Sequence, residues 1–168
     1  MMDYAKFSTR YQVRRLDEAD IPAIQALCEK NPQYYEHCPP FVTPQTIRED
    51  MQALPPRKTM ADKYYLGYFD DAGRLVAVMD FIDHCPNAET AFIGFYMIER
   101  SLQGRGIGSQ IVEELLEYLA NLNYQNVRLG YVNGNKQSES FWKKNQFVDT
   151  GMRNHTEAYE VVIVNRKL

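Results

Sequence analysis

Cysteine, net positive charge and long apolar runs are all scarce in this chain of 168 residues. The three cysteines are odd in number and irregularly spaced, which argues against a disulfide framework. Lysine and arginine number 19 against 22 acidic residues, and no basic stripe of the kind that nucleic-acid binders use is visible. No apolar run approaches the ~18 residues that a membrane span needs. We therefore expect neither nucleic-acid nor membrane partners.

The N-terminal stretch MMDYAKFSTR is polar and lacks the apolar centre of a signal peptide. We therefore expect a cytoplasmic location, with reduced thiols. Two cysteines directly follow a histidine, at His37-Cys38 and His84-Cys85. Neighbouring strand residues point to opposite faces, and no C-x-x-C spacing is present, so the sequence predicts no metal site.

The composition, 45% hydrophobic and 24% charged, is typical of a globular protein, and the length fits a single domain over residues 1–168. Periodicity and turn signals predict alternating strands and helices. Strands are expected at 11–16, 63–69, 74–83, 90–98, 126–132, 146–152 and 158–168. Helices are expected at 17–31, 43–54, 105–123 and 135–145, with a Pro-rich aromatic loop at 31–42. This order predicts one mixed α/β sheet flanked by helices.

The stretch YMIERSLQGRGIGSQIVEELLEYL places three glycines at alternate positions, directly between an apolar strand and a long helix. Glycine lets a ligand approach the backbone closely, and a helix N-terminus offers unpaired N–H groups and partial positive charge. Together they favour a phosphate-bearing ligand at 104–109, although a flexible connector would have the same composition. Arg105 would add a full positive charge there.

Two familiar nucleotide loops fit this stretch poorly. A P-loop requires Lys after its last glycine, and Gly108 is followed by Ser109. A dinucleotide fingerprint requires G-x-G-x-x-G near the first strand of a parallel unit, whereas this loop follows an expected antiparallel meander.

The segment Gln103-Gly104-Arg105-Gly106-Ile107-Gly108 instead resembles Q/R-x-x-G-x-G/A, the pyrophosphate loop of the GNAT family of acyl-CoA N-acyltransferases. A second segment, NGNKQSESFWKKNQF, resembles the family's short helix, with Asn135 at its start, Trp142 seven residues later and Phe147 closing the pattern. The order of strands and helices along the whole chain also fits the family. It implies the GNAT fold: a mixed, mostly antiparallel twisted sheet of about six or seven strands, about four flanking helices, and a splay between strands 90–98 and 126–132.

The resemblance also implies acetyl-CoA as co-substrate. By position, Tyr96, Met97 and Ile98 would bind the pantetheine arm and the thioester carbonyl through backbone groups. Asn135 would hydrogen-bond the pantetheine region, and Trp142 would lie near the sulfur. The pyrophosphate would contact the loop residues, namely Gln103, Gly104, Arg105, Gly106, Ile107, Gly108 and Ser109.

The catalytic groups depart from the family's pattern. Trp142 stands where many members have a Tyr that protonates the thiolate, and an indole N–H is no practical acid. Members that acetylate protein N-termini carry a Glu at the position of Gly130, and histone-acetylating members carry one at Phe92. The candidates for the base that an ammonium acceptor needs are then Asp80, Tyr131 and Glu89, although the pattern favours an ordinary half-exposed strand residue at each position, and solvent is an alternative proton acceptor.

The family's element order places the acceptor beside the first two helices, so Tyr34, Tyr35, His37 and Phe41 are candidates for its pocket or for loop anchors. We expect acetyl transfer to the primary amine of a small molecule, by direct attack in a ternary complex, and a homodimer is one possible assembly. Acetylation of a protein N-terminus or lysine, and an inactive acyl-CoA-binding module, are the alternatives.

Overall fold

A seven-stranded open sheet with the strand order β1-β2-β3-β4-β5-β7-β6 organises the chain. The computed structural model describes residues 2–168. The strands are β1 (Gln12–Arg15), β2 (Lys63–Phe69), β3 (Leu75–Ile82), β4 (Thr90–Ile98), β5 (Asn126–Val132), β6 (Val148–His155) and β7 (Glu160–Lys167). The helices are α1 (Ile21–Glu29), α2 (Pro32–His37), α3 (Pro44–Gln52), α4 (Ile107–Asn121) and α5 (Lys136–Lys144).

Only the β4–β5 pair is parallel, and the remaining pairs are antiparallel. The sheet buries both faces. One face packs against α4, whose apolar stripe includes Ile111, Leu115 and Leu119, and against Trp142 of α5. The other face packs against α1 and α3. The predicted mixed, mostly antiparallel sheet flanked by helices is confirmed.

The prediction of a loop over 31–42 is wrong in part, because Pro32–His37 forms the short helix α2 and brings the helix count to five. Pro32 occupies the first helical turn, where its fixed φ and missing N–H favour a helix start. Pro39 and Pro40 follow shortly after the helix and end it. The clustered prolines were therefore helix boundaries rather than signs of irregular chain.

Helix α4 is also shorter than the predicted 105–123. Gly104 and Gly106 have φ values of 76° and 77°, so the right-handed helix begins only at Ile107. At the other end Asn123 has a φ of 67° and terminates the helix. The glycines thus set the position of the helix N-terminus.

The predicted splay between β4 and β5 is confirmed. The two strands pair only from Thr90–Asn126 to Ile93–Leu129. Asp80 of β3 lies opposite Phe95 and Phe81 lies opposite Ile93, so Gly94 is an extra residue in β4, a β-bulge. Beyond this bulge β4 stays with β3 while β5 stays with β7, and a gap opens between them.

Candidate active site

The gap between β4 and β5 is one end of a cavity of about 440 Å³. Its walls are β4 from Phe92 to Ile98, β5 from Leu129 to Val132, the glycine loop, α5, α2 and the turn before β7. Elements that are distant in sequence therefore meet around one space. Its size and mixed polar and apolar lining suit a ligand of small to moderate size.

Backbone groups of β4 face this gap. The amide of Glu99 donates to the Val76 carbonyl at 2.8 Å, which makes Ala77 and Ile98 a non-hydrogen-bonded pair. The N–H and C=O groups of Ile98, and of Tyr96 two residues earlier, consequently point away from β3. Those of Met97 point toward β3. The gap is thus edged by polar groups that β5 would have paired in a continuous sheet.

The Ile98 carbonyl is already engaged from outside the sheet. It accepts hydrogen bonds from Asn31 Nδ2 at 3.3 Å and from Gln103 Nε2 at 3.0 Å. Gln103 Nε2 also donates to Asn31 Oδ1 at 2.7 Å. These bonds connect β4, α1's C-terminal end and the start of the glycine loop, which leaves the Ile98 N–H as the group open to a ligand. Sequence reasoning missed Asn31, because nothing in its local pattern distinguishes it from a helix-end asparagine.

The glycine loop presents bare backbone to the cavity. A Cβ atom added at Gly104 or Gly106 would meet no atom within 4 Å, so packing does not require glycine there. The positive φ angles do require it. The loop ends at the N-terminus of the 15-residue helix α4, where unpaired N–H groups favour an anion.

The structure separates the predicted loop residues into two groups. Arg105 and Ile107 line a different depression, together with Arg10 and Asp71. That Arg105 adds its charge to the anion site stays a prediction. The loop residues that line the cavity are Gln103, Gly104, Gly106, Gly108 and Ser109.

Helix α5 forms the cavity wall opposite β4. Asn135 is buried and caps the helix, since its Oδ1 accepts from the Ser138 amide at 3.2 Å. Trp142 lines the cavity and packs its ring 6.0 Å from that of Tyr96 and 5.0 Å from that of Phe147. The predicted Trp142 is therefore both a cavity residue and a packing residue.

Tyr96 fixes the glycine loop against the sheet. Its hydroxyl donates to the Gly108 carbonyl at 3.0 Å. Burial raises the pKa of Tyr96 well above its ordinary value, so the phenol stays protonated and keeps this hydrogen bond at neutral pH.

Two segments that lie 121 residues apart in sequence meet in the cavity wall. Cys38, at the end of α2, donates its S–H to the Tyr159 hydroxyl in the turn before β7, at 3.5 Å. We call this contact the thiol–phenol bridge. The contact with Cys38, together with desolvation, raises the pKa of Tyr159 to about 12. The Tyr34 ring lies beneath, 5.7 Å from the Phe95 ring.

Of the four residues predicted for an acceptor pocket, Tyr34 alone lines the cavity. The Tyr35 ring packs against Phe41 instead, at 5.4 Å, and Phe41 is 47% exposed. His37 is half-buried outside the cavity. Because α2 is helical, its successive side chains point in different directions, whereas a loop reading treated them as one group.

The catalytic candidates also differ in position. Tyr131 lines the cavity. Asp80 is buried beside the β4 bulge and pairs with Lys63, whose Nζ lies 2.9 Å from Oδ2. Glu89 is exposed at the start of β4, outside the cavity and at the opposite end of the strand from the splay. Of the three candidates, Tyr131 alone lines the cavity, whereas Asp80 lies behind Gly94 of the cavity wall and Glu89 lies outside.

Residues 2–168 contain no cluster of three or more His, Cys, Asp or Glu side chains arranged for a metal ion. Within the same residues, no helix combines the length and the apolar character that crossing a membrane requires.

A splayed parallel pair, a glycine loop and a helix N-terminus thus surround one cavity. The model of the acetyltransferase (GNAT) family matches residues 24–147. The chain belongs to this family and is an N-acetyltransferase of the GNAT type. No curated protein matched the chain.

Solved structures share the fold at low sequence identity. An acetyltransferase from Thermus thermophilus is 18% identical with a TM-score of 0.74, covering 95% of this chain and 97% of its own. A putative phosphinothricin N-acetyltransferase is 20% identical with a TM-score of 0.67, covering 94% and 98%. An enzyme from Salmonella typhimurium that modifies the N-terminal serine of a 50S ribosomal subunit protein is 21% identical with a TM-score of 0.73, covering 96% and 97%.

Proposed function

We propose that this protein transfers an acetyl group from acetyl-CoA to the primary amine of a small molecule, by direct attack in a ternary complex. The observation that carries this proposal is a single cavity whose wall includes bare loop and strand backbone as well as the thiol–phenol bridge. The bare backbone suits the co-substrate, and the wall formed by the bridge suits a compact acceptor.

The residues present fit acetyl-CoA. The amides of 104–109 would hold the pyrophosphate, because Gly104 and Gly106 leave open space where side chains would stand. The outward backbone groups of Tyr96 and Ile98 would pair with the amides of the pantetheine arm, as a strand does with a new neighbour. Asn135 lies in the same wall and would contribute its amide. Acetyl-CoA supplies the activated acyl group.

The Ile98 N–H would stabilise the charge that develops on the thioester oxygen, because it points into the gap and carries no competing acceptor on β5. Attack by the amine itself requires no enzyme nucleophile. Cys38 is a thiol in the cavity wall, but its S–H is engaged with Tyr159. Direct transfer is therefore simpler than a route through an acetylated cysteine.

The thiol–phenol bridge favours a small acceptor over a polypeptide. It joins α2 to the turn of residues 156–159, which is itself held by bonds from the Ala158 and Tyr159 amides to Thr156 Oγ1 at 3.2 and 3.0 Å. A peptide acceptor needs an open channel for the chain that follows its N-terminus, and the bridge narrows the space beside α2. A small amine needs no such channel.

Acetylation of a protein N-terminus is the second candidate, because one enzyme of similar fold modifies the N-terminal serine of a ribosomal protein. An inactive acyl-CoA-binding module is the third, since the acid and base positions of the family hold other residues. Steady-state thiol release with acetyl-CoA and a panel of small amines and short peptides distinguishes them. We expect release with small amines. Release only with peptides would support the second candidate, and tight binding without turnover would support the third.

The bridge itself is tested by Cys38→Ala, with Cys38→Ser as the variant that keeps a donor. We expect Cys38→Ala to raise the relative rate with peptides and to raise KM for small amines, and Cys38→Ser to restore the original preference. Cys85→Ala is the control, because Cys85 is likewise a free thiol but does not line the cavity. An unchanged ratio of small-amine to peptide rates in Cys38→Ala would remove the bridge as a basis of specificity.

A further inference from the structure

We propose that the acceptor amine carries a flat apolar body, in the simplest case an aromatic ring, and no second charged group on that body. The inference rests on the proposed function and names the substrate class of the same site. It follows from the side chains that the cavity presents on each face of the sheet.

The two faces of the sheet contribute different side chains to the cavity. Tyr96 and Ile98 of β4 pack with the core on the side of α4 and α5. Phe95 and Met97 alternate with them and pack with the core on the side of α1 and α3, as does Tyr34 of α2. We call this second side the α1 face. The glycine loop leads into α4, so the co-substrate elements lie on the other face and the α1 face is left for the acceptor.

Strands β5 and β7 continue the α1 face with aliphatic side chains. Val162 and Val164 of β7 pack with the core on the side of α4. Val161 and Ile163 alternate with them and therefore point to the α1 face. A Cβ atom added at Gly130 of β5 would lie 2.5 Å from Val161 Cγ1 and 3.2 Å from Ile163 Cδ1, which places Gly130 on the same face. All three residues line the cavity, so its wall along β5 and β7 is apolar here.

Aromatic rings border the same space. Ile93 packs with the core on the side of α4, so the preceding Phe92 points to the α1 face. The rings of Tyr34 and Phe95 lie 5.7 Å apart at an interplanar angle of 75°. The three aromatic residues Tyr34, Phe92 and Phe95 all line the cavity. Flat apolar groups pack well against such rings, by offset stacking or by edge contact, so a planar body matches this wall.

The cavity wall offers no counter-charge to a charged acceptor body. Among residues 2–168, no Asp or Glu lines the cavity, and its cationic side chains are Arg100 and Lys144. Arg100 lies beyond the end of β4, five residues after Phe95, and Lys144 belongs to α5 on the other face. Desolvation raises the pKa of Tyr34, and the thiol of the bridge raises that of Tyr159, so both phenols are neutral at neutral pH.

Two carboxylates lie behind this wall rather than in it. Asp80 Oδ2 is 2.6 Å from a Cβ atom added at Gly94, and Lys63 Nζ holds the same oxygen at 2.9 Å. Its charge is therefore matched within the fold. Asp50 of α3 does not line the cavity, and burial raises its pKa to about 6. A charged group on the acceptor's body would lose its hydration here without gaining a partner, which is costly.

Three benzylamines that differ only at the para position test the charge preference. They are para-methylbenzylamine, para-(aminomethyl)benzylamine and para-(aminomethyl)benzoate. The para group is remote from the reacting nitrogen, so the basicity of that amine is closely similar in all three. We expect kcat/KM with the methyl compound to exceed that with either charged compound at least about 30-fold, because a charge on the ring would be desolvated against an apolar wall. Equal use of a charged compound would overturn the inference and leave the proposed function standing.

Asn154→Asp places one carboxylate on the α1 face with almost no change of shape. Asn154 is exposed, lines the cavity and is the cross-strand partner of Val161, so it shares the face of Val161. We expect the variant to raise kcat/KM with the diamine, relative to the methyl compound, about 2–5-fold, the range of a partly exposed ion pair. Asn121→Asp is the control, because it adds the same charge to an exposed position of α4 outside the cavity and should leave this ratio unchanged. A ratio that Asn154→Asp does not raise would remove the acceptor's body from the α1 face and overturn the inference.

Binding to the CoA-loaded protein separates this inference from the proposed function. N-benzylacetamide and N-(cyclohexylmethyl)acetamide are both neutral and have equal numbers of carbon atoms, but only the first has a planar ring. We expect calorimetry to give a dissociation constant about 3–10-fold lower for the benzyl compound, the range of one aromatic contact. If the protein turns over no amine while this preference appears, the proposed function fails and the flat apolar pocket stands. If the cyclohexylmethyl compound binds equally well, or neither compound binds, the inference fails even for an active enzyme.

Discussion

Gly106 offers the most direct test of the acetyl-CoA site. Valine at this position places a branched side chain in the open space beside the loop, where the structure has no atom within 4 Å of the added Cβ. If the pyrophosphate occupies that space, we expect acetyl-CoA affinity to fall at least about tenfold, or about 1.4 kcal/mol. Isothermal calorimetry measures this change directly.

Backbone strain must be separated from this direct effect. Gly106 has a φ of 77°, a conformation that costs a side-chain-bearing residue roughly 1–2 kcal/mol. For a protein of this length, that amount corresponds to a decrease in Tm of about 2–8 °C. Gly73 is a matched control, because its φ is 76°, an added Cβ meets nothing within 4 Å, and it does not line the cavity.

We therefore expect Gly73→Val and Gly106→Val to lower Tm by similar amounts, and only Gly106→Val to lower affinity. Gly106→Asn adds a side chain at smaller strain, because asparagine tolerates the left-handed region. It should also lose affinity. Unchanged affinity in a folded Gly106→Val protein would remove the loop from the co-substrate site, and an equal loss in Gly73→Val would show that the effect is global.

Three further predictions use the remaining features of the site. Trp142 lines the cavity and is the only tryptophan, so saturation with CoA should change the protein's tryptophan emission. The emission titration should give the same dissociation constant as calorimetry. Unchanged emission while calorimetry shows binding would mean that α5 does not contact the ligand. Initial-rate lines with both substrates varied should intersect, whereas parallel lines with an acetylated Cys38 in mass spectrometry would show a covalent route. The pKa of Asp50 is raised to about 6, so its ionisation destabilises the fold as pH rises from about 4 to 6. Asp50→Asn should accordingly raise Tm at pH 7 and have no effect below about pH 4, in thermal melts across pH.

The glycine loop was predictable because its signal is local, whereas the splay was predicted only through the resemblance to the family. Alternating glycines before an amphipathic helix identify the loop, and the spacing to Asn135 and Trp142 agrees with the family's second segment. Both segments form the same cavity in the structure. Patterns within about twenty residues are controlled by backbone conformation and periodicity, which single sequences display.

The thiol–phenol bridge was not predictable in the same way. Cys38 and Tyr159 meet across 121 residues, and neither belongs to a local motif. Arg105 lines a different depression although its loop borders the cavity, because the direction of each residue follows from its own backbone conformation. Long-range pairing and side-chain direction are set by the tertiary fold, which the pattern of a single segment does not contain.

The missing family bases have a physical explanation at one position. A Cβ atom at Gly130 would lie 2.5 Å from Val161 Cγ1 and 3.2 Å from Ile163 Cδ1, so β7 packs directly against the space that a glutamate would need. The absence of a carboxylate on β5 is therefore part of how this sheet packs.

Gly130→Glu tests that explanation. We expect it to destabilise the fold, because a distance below 3 Å forces the Val161 side chain or the strand to move, and overpacking typically costs about 1–3 kcal/mol. Thermal melts measure this destabilisation. A Gly130→Glu protein as stable as the parent would show that β7 leaves room for a carboxylate at this position of β5, and the packing explanation for the missing glutamate would then be wrong.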